Sequence, residues 1–478
     1  MGNLNRSPSL ARAGSAPLTA GLALGGRLKE IALLFRDQGR RLYLVGGAVR
    51  DIFRGQSPKD WDLATDALPA EIPEMFRGLK VRAKVIPTGI KHGTVTLHYR
   101  GGEYEITTFR SESAYLDGRH PESVRFTKSI EEDLSRRDFT MNSIALSLPG
   151  GELVDPYGGL EDIKKNLIRC VGNPLDRFGE DGLRPLRALR FAAQLGYQVE
   201  SATLEAVRPS LAVTAKVSKE RVRDELDKII ASRRPSLAFR PMEETGLLEL
   251  LAPELSACRG IEQKGYHRFD VLDHSLLACD YAAEKGYPQE VRLAALLHDI
   301  GKPEVRQKDE QGIWTFYQHE KHSARMARDL MTRLRYPNAQ IEKVCRLIGC
   351  HMFHYDDSWS AGAVRRFIIR VGEENLEDIY RLRRADTYGM AGKEGAAEDL
   401  VNLISRVDKA LAESRALSLK DLAISGSDLI EAGIKPGRHM GIILKELLET
   451  VVDDPASNTR ETLLNIALKF NGKYQIHP

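Results

Sequence analysis

The feature that most constrains the fold is an apolar run, Leu42–Val45, that ends at the glycine pair Gly46-Gly47. Such a run predicts a buried strand. Glycine has no Cβ, so the backbone at this pair can come close to a ligand. A short helix that begins near Val49 is predicted next, and the amides of its first turn can face a phosphate. The stretch therefore predicts a strand, a ligand-binding turn and a helix in succession.

Two carboxylates follow shortly afterwards, Asp60 and Asp62, on either side of Trp61. In a strand this spacing would place both side chains on one face. Paired carboxylates are hard oxygen ligands that suit Mg²⁺, which takes its remaining ligands from water and substrate phosphates. The glycine turn and the carboxylate pair together predict metal-dependent chemistry on a nucleoside triphosphate. An ordinary turn followed by a solvated strand edge is the alternative.

The composition is that of an ordinary globular protein and limits the possible partners. The chain has 478 residues, enough for about three domains, and its formal net charge of +3 leaves nucleic-acid binding to local basic patches. Five scattered cysteines argue against a disulfide framework and favour a reducing compartment, so we expect a cytoplasmic location. No apolar run approaches the roughly 18 residues of a membrane span.

Helix and strand signals alternate over residues 27–148, and strand signals disappear after about residue 160. Residues 92–99 and 103–109 are typical of a β-hairpin, and Glu105 in its second strand is a plausible third carboxylate. Every later segment is typical of a helix with short polar loops. The predicted fold class is α+β, with a small α/β head followed by a long all-helical body.

Further along the head, Arg136 and Arg137 precede Asp138 and Asn142. Guanidinium groups form forks that suit phosphate, and the acid and amide can contact a ribose. Adjacent arginines beside an acid are otherwise typical of a solvated helix face.

Asp181, Arg184 and Arg187 recur at helical spacing, so one helix is predicted to carry all three. Taken alone, they would form ion pairs worth a few tenths of a kcal/mol on an amphipathic helix. Pro185 lies inside this predicted helix and is expected to kink it just after Arg184.

The second half of the chain contains a set of possible metal ligands. They include His274, the doublet His298-Asp299, His319, His322, His351, His354 and Asp386. Imidazole and carboxylate together suit a transition metal such as Mn, Ni, Fe or Zn, and such a metal can activate water against a phosphoester. A lone histidine in a helix is more often a packing or surface residue.

Over roughly residues 27–478 the chain resembles the bacterial-type tRNA nucleotidyltransferase and poly(A) polymerase family. The resemblance rests on Gly46-Gly47, Asp60-Trp61-Asp62, Arg136-Arg137-Asp138-Phe139-Thr140, Asp155-Pro156-Tyr157-Gly158-Gly159 and Glu180-Asp181 with Arg184. Ser143 stands where the family usually has alanine. The fold that it implies is a polymerase β-like nucleotidyltransferase head.

This resemblance implies a role for each motif. Asp60 and Asp62, with Glu105 as third carboxylate, would hold two Mg²⁺ ions. The implied nucleotide-binding residues are Gly46, Gly47, Arg50, Arg136, Asp138, Asn142, Asp181, Arg184 and Arg187. Asp181 would accept from the exocyclic amine and Arg184 would donate to the ring nitrogen, a pattern that C and A share and that U and G lack.

A polar, glycine-containing segment, residues 107–127, contains Asp117 and Arg119. In the resembled family this is a flexible loop that helps to switch from C to A addition. It has its full length here, which favours the addition of both nucleotides over the addition of C alone.

The doublet His298-Asp299, closed by Ile-Gly-Lys, resembles the HD superfamily of metal-dependent phosphohydrolases. The implied core ligands are His274, His298, Asp299 and Asp386, and the candidates for a second metal are His319 and His351. A vestigial HD fold with a structural role is the alternative.

The family resemblance implies CCA addition to the tRNA 3′ end from CTP and ATP. The alternatives are an A-adding enzyme or poly(A) polymerase, and an HD phosphohydrolase whose head binds nucleotide. The expected segments are a disordered N-terminus (1–26, with a transit peptide as alternative), the head (27–148), a helical neck (149–260), an HD domain (261–394) and a tRNA-binding tail (395–478). No membrane partner is expected, and the oligomeric state stays open.

Overall fold

The computed structural model describes residues 26–77, 83–90, 93–112, 124–263, 268–393, 398–413 and 419–474. The chain divides into two compact units. Unit 1 contains Met1–Glu225 and Arg240–Leu250, and unit 2 contains Leu226–Phe239 and Leu251–Pro478. The chain passes from one unit to the other inside helices α10, α11 and α12 (Lys219–Ile230, Ser236–Thr245 and Leu247–Leu251).

A seven-stranded mixed sheet is the framework of unit 1. The larger strands of this unit are β1 (Leu42–Val45), β2 (Asp62–Thr65), β3 (Ala83–Gly89), β4 (Thr94–Tyr99), β5 (Gly102–Thr108), β6 (Arg110–Glu112), β7 (Val124–Phe126), β8 (Ala145–Leu148) and β9 (Leu153–Val154). The order is β3-β4-β5-β2-β1-β8-β9, and β6 pairs with β7 separately. Among the sheet's described strands, only the neighbours β2 and β5 run parallel.

The strand β1 lies inside the sheet because its side chains are apolar and buried on both faces. Leu42, Leu44 and Val45 are each at most 2% exposed, and burial of such side chains contributes about 1.5–3 kcal/mol each. Antiparallel ladders join β1 to β2 on one side and to β8 on the other. The core cluster beside it consists of Val45, Ala64, Phe109, Ile130, Leu134 and Ala145.

Short helices complete unit 1. They are α1 (Gly26–Asp37), α2 (Gly47–Phe53), α3 (Ile72–Met75), α4 (Ile130–Ser135), α5 (Gly159–Lys164), α6 (Pro174–Glu180), α7 (Arg184–Leu195), α8 (Ser201–Glu205) and α9 (Leu211–Thr214). Two-residue strands β10 (Leu167–Ile168) and β11 (Gln198–Val199) pair in parallel among them. The 3-10 turns are Thr140–Asn142 and Arg208–Ser210.

Where the structure describes it, unit 2 is helical apart from one small hairpin. Its helices are α13 (Pro253–Ser256), α14 (Val271–Glu284), α15 (Gln289–Leu297), α16 (Lys302–Val305), α17 (His319–Arg333), α18 (Asn338–Cys350), α19 (Ala361–Val371), α20 (Leu376–Ala391), α21 (Glu398–Glu413), α22 (Gly426–Glu431), α23 (Arg438–Asp453) and α24 (Arg460–Tyr474). The hairpin consists of β12 (Gln307–Lys308) and β13 (Trp314–Thr315), and the 3-10 turns are Glu373–Asn375, Leu419–Asp421 and Pro455–Ser457.

Local sequence explains where these helices begin. Asp270 accepts a hydrogen bond from the Asp273 amide at the start of α14, and Ser360 caps α19 in the same way. Such caps satisfy amides that have no partner inside the helix. In the last part of the chain a separate core joins α22, α23 and α24, and its most buried members are Leu429, Ile443, Leu447, Val451, Leu463 and Ala467.

The predicted α+β class, with an α/β head and a helical body, is confirmed. The predicted hairpin is also confirmed, as β4 and β5 with Tyr99 opposite Gly102. The prediction that no strands follow residue 160 is wrong in detail, since the short ladders β10–β11 and β12–β13 lie beyond it. Each of these strands has two residues, which is too short for an alternating pattern to be visible in the sequence. The finer domain boundaries stay a prediction. Within the described residues, no helix is both long and apolar enough to cross a membrane.

Gly159 lies in the first turn of α5, where the backbone packs closely against Thr140 and Ile144. An added Cβ would lie 2.1 Å from the Thr140 carbonyl oxygen and 2.8 Å from Ile144 Cγ1. Backbone cannot yield as a flexible side chain does, so we expect Gly159→Ala to lower the free energy of unfolding by about 3 kcal/mol. Gly179→Ala is the matched control, because nothing lies within 4 Å of its added Cβ and alanine favours helix. Urea unfolding of both variants is the measurement, and an equal effect of the two would contradict the packing.

Candidate functional site

A cleft of about 460 Å³ in unit 1 brings most of the predicted nucleotide-site residues together. The predicted residues that line it are Gly46, Gly47, Arg50, Asp62, Glu105, Arg136, Asp138, Asn142, Asp181, Arg184 and Arg187. Lining residues that the sequence did not indicate include Thr94, Thr107, Arg110 and Phe191. The predicted loop residues Asp117 and Arg119 lie outside the described residues.

The carboxylates meet where β2 and β5 run side by side. Asp62 is the first residue of β2 and pairs in register with Glu105 on β5. Asp60 lies in an exposed bend before the strand, so the prediction of a strand over both aspartates is wrong. The physical reason is that β1 ends at Val45, opposite the beginning of β2, and offers Asp60 no ladder partner.

The three carboxylates nevertheless act on one another electrostatically. Burial raises the pKa of the Asp62 carboxyl above its ordinary value, Arg137 opposes the shift, and Asp60 adds to it. Burial, followed by the charges of Asp62 and Asp60, raises the pKa of Glu105. Carboxylates are hard oxygen donors, so the chemistry of Asp60, Asp62 and Glu105 suits Mg²⁺.

The turn after β1 is possible only with glycine. Gly46 has a φ of +68° and a ψ of −136°, which L side chains rarely adopt. An added Cβ would lie 3.2 Å from Arg137 Nη1 and 3.4 Å from Asp62 Oδ2. The backbone of the turn therefore comes close to both a guanidinium and a carboxylate of the cleft. The helix α2 begins at Gly47, two residues before its predicted start.

Asp133 fixes both adjacent arginines and was missed by the sequence analysis. Its Oδ1 accepts from Arg136 Nη2 at 2.8 Å, and its Oδ2 accepts from Arg137 Nη2 at 3.0 Å. Burial would raise the pKa of Asp133, but Arg137 and Arg136 hold it below its ordinary value. The signal was present, because an acid three and four residues before two arginines lies one helical turn away.

A chain of hydrogen bonds links the remaining polar residues of the cleft. Arg187 donates to Asp138 Oδ2 from Nε at 2.9 Å and from Nη2 at 2.6 Å. Asn142 donates to Asp138 Oδ1 at 3.3 Å and accepts from Arg50 Nη1 at 2.9 Å. Burial would raise the pKa of Asp138, but Arg187 lowers it to about 2. The carboxylate therefore stays ionised and the network keeps its geometry near neutral pH.

The expected single helix through Asp181 is wrong. The helix α6 ends at Glu180, Asp181 is extended, and α7 begins at Arg184. The predicted kink at Pro185 is also absent, because that residue lies in the first turn of α7, where no amide hydrogen bond is needed.

Both residues predicted to contact the base are held by neighbouring groups. Asp181 accepts from the Leu183 amide at 3.0 Å and from Arg221 Nη2 at 2.8 Å. Arg184 donates to the carbonyl oxygens of Arg177 and Arg136, each at 3.0 Å. Arg221 was not predicted to belong to the site, since its helix has an ordinary amphipathic pattern.

Unit 2 brings together all six predicted ligands of the second site. His274 Nε2 lies 3.0 Å from His298 Nε2 and 3.2 Å from Asp386 Oδ1. Asp299 faces both halves of the cluster: Oδ2 lies 3.2 Å from His298 Nε2, and Oδ1 lies 3.1 Å from His319 Nε2. His351 Nε2 lies 3.3 Å from His319 Nε2. A metal with bonds of about 2.1 Å has neighbouring donor atoms about 3.0–3.4 Å apart, so these separations fit a metal centre.

The tautomers of the histidines support the same interpretation. The Nδ1 atoms of His298 and His319 each lie 2.9 Å from a backbone carbonyl oxygen, and that of His351 lies 2.7 Å from one. A proton on Nδ1 leaves the Nε2 lone pair for a metal, the arrangement usual at histidine sites. Asp299 and Asp386 have pKa values far below the ordinary range, despite their burial, because of the facing imidazoles.

Lys302 belongs to this cluster but was not predicted. Its buried ammonium donates to Asp299 Oδ2 and to Gln263 Oε1, both at 2.6 Å. A buried cation at this position balances part of the aspartate charge. Its position three residues after Asp299, across a turn in which the Lys302 amide donates to the Asp299 carbonyl oxygen at 3.0 Å, was the available signal.

Known proteins are similar to this chain in the head and along most of its length. Residues 42–169 match the Poly A polymerase head domain, 196–258 match the probable RNA and SrmB-binding site of polymerase A, and 305–467 match tRNA nucleotidyltransferase domain 2. The CCA-adding enzyme of Lactobacillus delbrueckii subsp. bulgaricus is 33% identical over 89% of this chain and 93% of its own. That of Limosilactobacillus reuteri is 34% identical over 90% and 92%.

Solved structures show the same similarity. The Bacillus stearothermophilus CCA-adding enzyme in complex with CTP is 27% identical, covers 95% of this chain and 98% of its own, and superposes with a TM-score of 0.69. The Thermotoga maritima enzyme complexed with tRNA shares the fold at 20% identity, a TM-score of 0.52, and coverage of 92% and 94%. Fold and cleft thus define a nucleotidyltransferase. The chain belongs to the family of CCA-adding enzymes, the class II tRNA nucleotidyltransferases.

Proposed function

We propose that the chain is a CCA-adding enzyme, which adds C, C and A to the tRNA 3′ end from CTP and ATP without a nucleic-acid template. The observation that carries this proposal is the register of Asp62 with Glu105 at an arginine-lined cleft. The named relatives are CCA-adding enzymes along nearly their full length. The five cysteines are free and buried, which supports a cytoplasmic location.

The reaction is an attack of the tRNA 3′ hydroxyl on the nucleotide α-phosphate. A new phosphodiester bond forms, the bond to the β-phosphate breaks, and pyrophosphate leaves. Asp60, Asp62 and Glu105 would hold the divalent ions, expected to be Mg²⁺, which lower the pKa of the hydroxyl and neutralise the leaving pyrophosphate. The charge repulsion within this carboxylate group favours a cation there.

The arginines of the cleft would bind the triphosphate. Arg136 and Arg137 are fixed by Asp133, so little side-chain entropy is lost when a phosphate binds them. Asp138 and Asn142 form the polar group suited to the ribose hydroxyls, and Arg50 holds Asn142 in place. The protein thus supplies positioning and charge, which are the main demands of phosphoryl transfer.

Base selection would come from Asp181 and Arg184. A carboxylate has about four lone-pair sites, and Asp181 uses two of them on the Leu183 amide and Arg221. The others are available for the exocyclic amine of C or A, and Arg184 would donate to the adjacent ring nitrogen. U and G present opposite groups at that edge, so both side chains would lose a hydrogen bond.

The proposed division of the chain follows from these roles. Residues 27–148 form the head, 149–260 the neck, 261–394 a metal-binding domain and 395–478 a tail that binds tRNA. An A-adding enzyme or a poly(A) polymerase would share the same cleft. The full-length segment that contains Asp117 and Arg119 favours CCA addition over these alternatives.

Nucleotide incorporation into tRNAs that end before C74, before C75 and before A76 tests the proposal, with each nucleotide supplied separately. With CTP alone the wild-type chain is expected to add two C residues to the first tRNA and one to the second, and with ATP alone to add A to the third. With both nucleotides together it is expected to complete CCA on all three. Asp62→Ala is expected to abolish both C and A addition, because it removes a proposed ligand of the metal ions that would act on the reacting phosphate. Arg184→Ala is expected to relax discrimination against UTP and GTP by roughly ten- to a hundredfold, the effect of one buried hydrogen bond.

Asp37→Ala is a suitable control, since this exposed acid on α1 pairs only with Arg36 in the described part of the chain. Addition of A alone, and only to the tRNA that ends in CC, would replace the proposal with the A-adding alternative. Unchanged selectivity in Arg184→Ala would show that the base is read elsewhere.

A second candidate function, metal-dependent phosphoester hydrolysis, is favoured by the six converging ligands of unit 2. Histidine and aspartate together suit Mn, Ni, Fe or Zn rather than Mg. The paired halves of the cluster share Asp299, whose two oxygens face different histidines. The residues therefore fit a metal centre that would activate water towards a phosphoester.

Substitution of His298 and Asp299 tests whether phosphoester hydrolysis can be separated from nucleotide addition. His298→Ala with Asp299→Ala is expected to remove Mn²⁺-dependent hydrolysis of a phosphodiester while nucleotide addition stays within about twofold. The rise in melting temperature with Mn²⁺ should be larger for the wild type than for the variant, because the variant keeps only the cleft carboxylates as a Mn²⁺ site and binding to the folded state stabilises it. His319→Asn provides a milder test of the same centre. Loss of nucleotide addition in a folded double variant would show that the two activities are coupled.

A further inference from the structure

The hairpin β12–β13 is joined directly to the metal-ligand cluster. The Phe316 carbonyl, immediately after β13, accepts the Nδ1 proton of His319 at 2.9 Å. The Phe316 ring lies 5.6 Å from the Lys302 ammonium, which in turn donates to Asp299. The hairpin therefore ends beside a ligand and beside the cation of the cluster.

The stem of this hairpin combines unpaired cations with an indole. The Arg306 guanidinium stacks on the Trp314 ring at 3.7 Å from its centroid, and the Lys308 ammonium lies 4.8 Å from it. In the part of the chain that the structure describes, neither cation forms an ion pair with a carboxylate. A guanidinium that stacks on an aromatic face keeps its N–H edge for an anion.

Tyr317, which lies between Trp314 and His319 in the sequence, adds a second exposed aromatic ring. Its side chain is 77% exposed, the largest exposure among the large apolar or aromatic side chains of the described residues. Asp309, the acid nearest the stem, is used to close the turn, because its Oδ1 accepts from the Gln311 and Ile313 amides at 3.0 and 2.9 Å. The stem thus presents aromatic faces and positive charge together.

We propose that the hairpin stem is a binding surface for single-stranded RNA at the edge of the metal-ligand cluster. Unpaired bases would stack on Tyr317 and Trp314, and phosphates would contact Arg306 and Lys308. Stacking on aromatics combined with basic groups is the usual means of binding single strands, because every base has a π face. A duplex keeps its bases stacked internally and cannot use this surface. The inference deepens the proposed phosphoester hydrolysis by naming single-stranded RNA as the substrate class.

Photocrosslinking of the full-length chain tests this proposal without relying on any activity. The probe is a 12-nucleotide single-stranded RNA that carries 4-thiouridine at regular positions, irradiated with the protein in EDTA. Peptide mapping is expected to place crosslinks within residues 306–317. Tyr317→Ala and Arg306→Ala are each expected to reduce these crosslinks about tenfold, the effect of losing one stacked base or its phosphate contact.

Arg328→Ala is the matched control, an exposed arginine on α17 that already pairs with Glu342, and it should leave the yield unchanged. Crosslinks to other segments serve as an internal reference and should be equal in all variants. Absence of crosslinks in 306–317 while other segments react, or equal yields with a double-stranded RNA, would overturn the proposal. Because EDTA prevents metal-dependent chemistry, a failure of hydrolysis or of CCA addition would be seen in separate assays and would not alter this result.

Discussion

The mutual repulsion of Asp60, Asp62 and Glu105 is the constraint on which the nucleotide cleft depends. The parallel pairing of β2 with β5 places Asp62 and Glu105 in register, and burial together with the neighbouring carboxylates raises the pKa of both groups. The Gly46 turn brings the backbone next to Asp62 and Arg137. A divalent cation with a triphosphate, the ligand proposed for this cleft, would supply the charges that balance these carboxylates and arginines.

The two candidate sites balance the charge of their carboxylates with different types of residue. In the cleft, the negative charge of the carboxylates is balanced by arginines. Asp133 binds Arg136 and Arg137, and Asp138 binds Arg187, so these arginines are already positioned for the proposed phosphate. In unit 2, imidazoles oriented by backbone carbonyls face two aspartates, and Lys302 balances part of their charge. The first set suits Mg²⁺ and the second suits a transition metal, which is why two separable activities are expected.

Much of this organisation was predictable because it is local. The buried strand β1, the hairpin β4–β5 and the doublet His298-Asp299 follow from short patterns, whereas the other predicted ligands of unit 2 came from the resemblance to the HD superfamily. Predictions from sequence spacing were wrong where contacts between distant elements determine the secondary structure. Asp60 is not in a strand, because β1 ends at Val45. Asp181 lies between two helices, because α6 ends at Glu180 and α7 begins at Arg184. Partners distant in sequence, such as Arg221 beside Asp181, give no local signal at all.

The binding of Mn²⁺, followed by electron paramagnetic resonance in the presence of CTP, tests the central claim most directly. A His298→Ala, Asp299→Ala background confines the signal to the cleft. Because burial raises the pKa values of Asp62 and Glu105, protons compete with the metal, and its affinity should rise with increasing pH and then level off once both carboxyls are ionised. Asp62→Asn should abolish this binding. Mn²⁺ binding of unchanged affinity in Asp62→Asn would contradict the account.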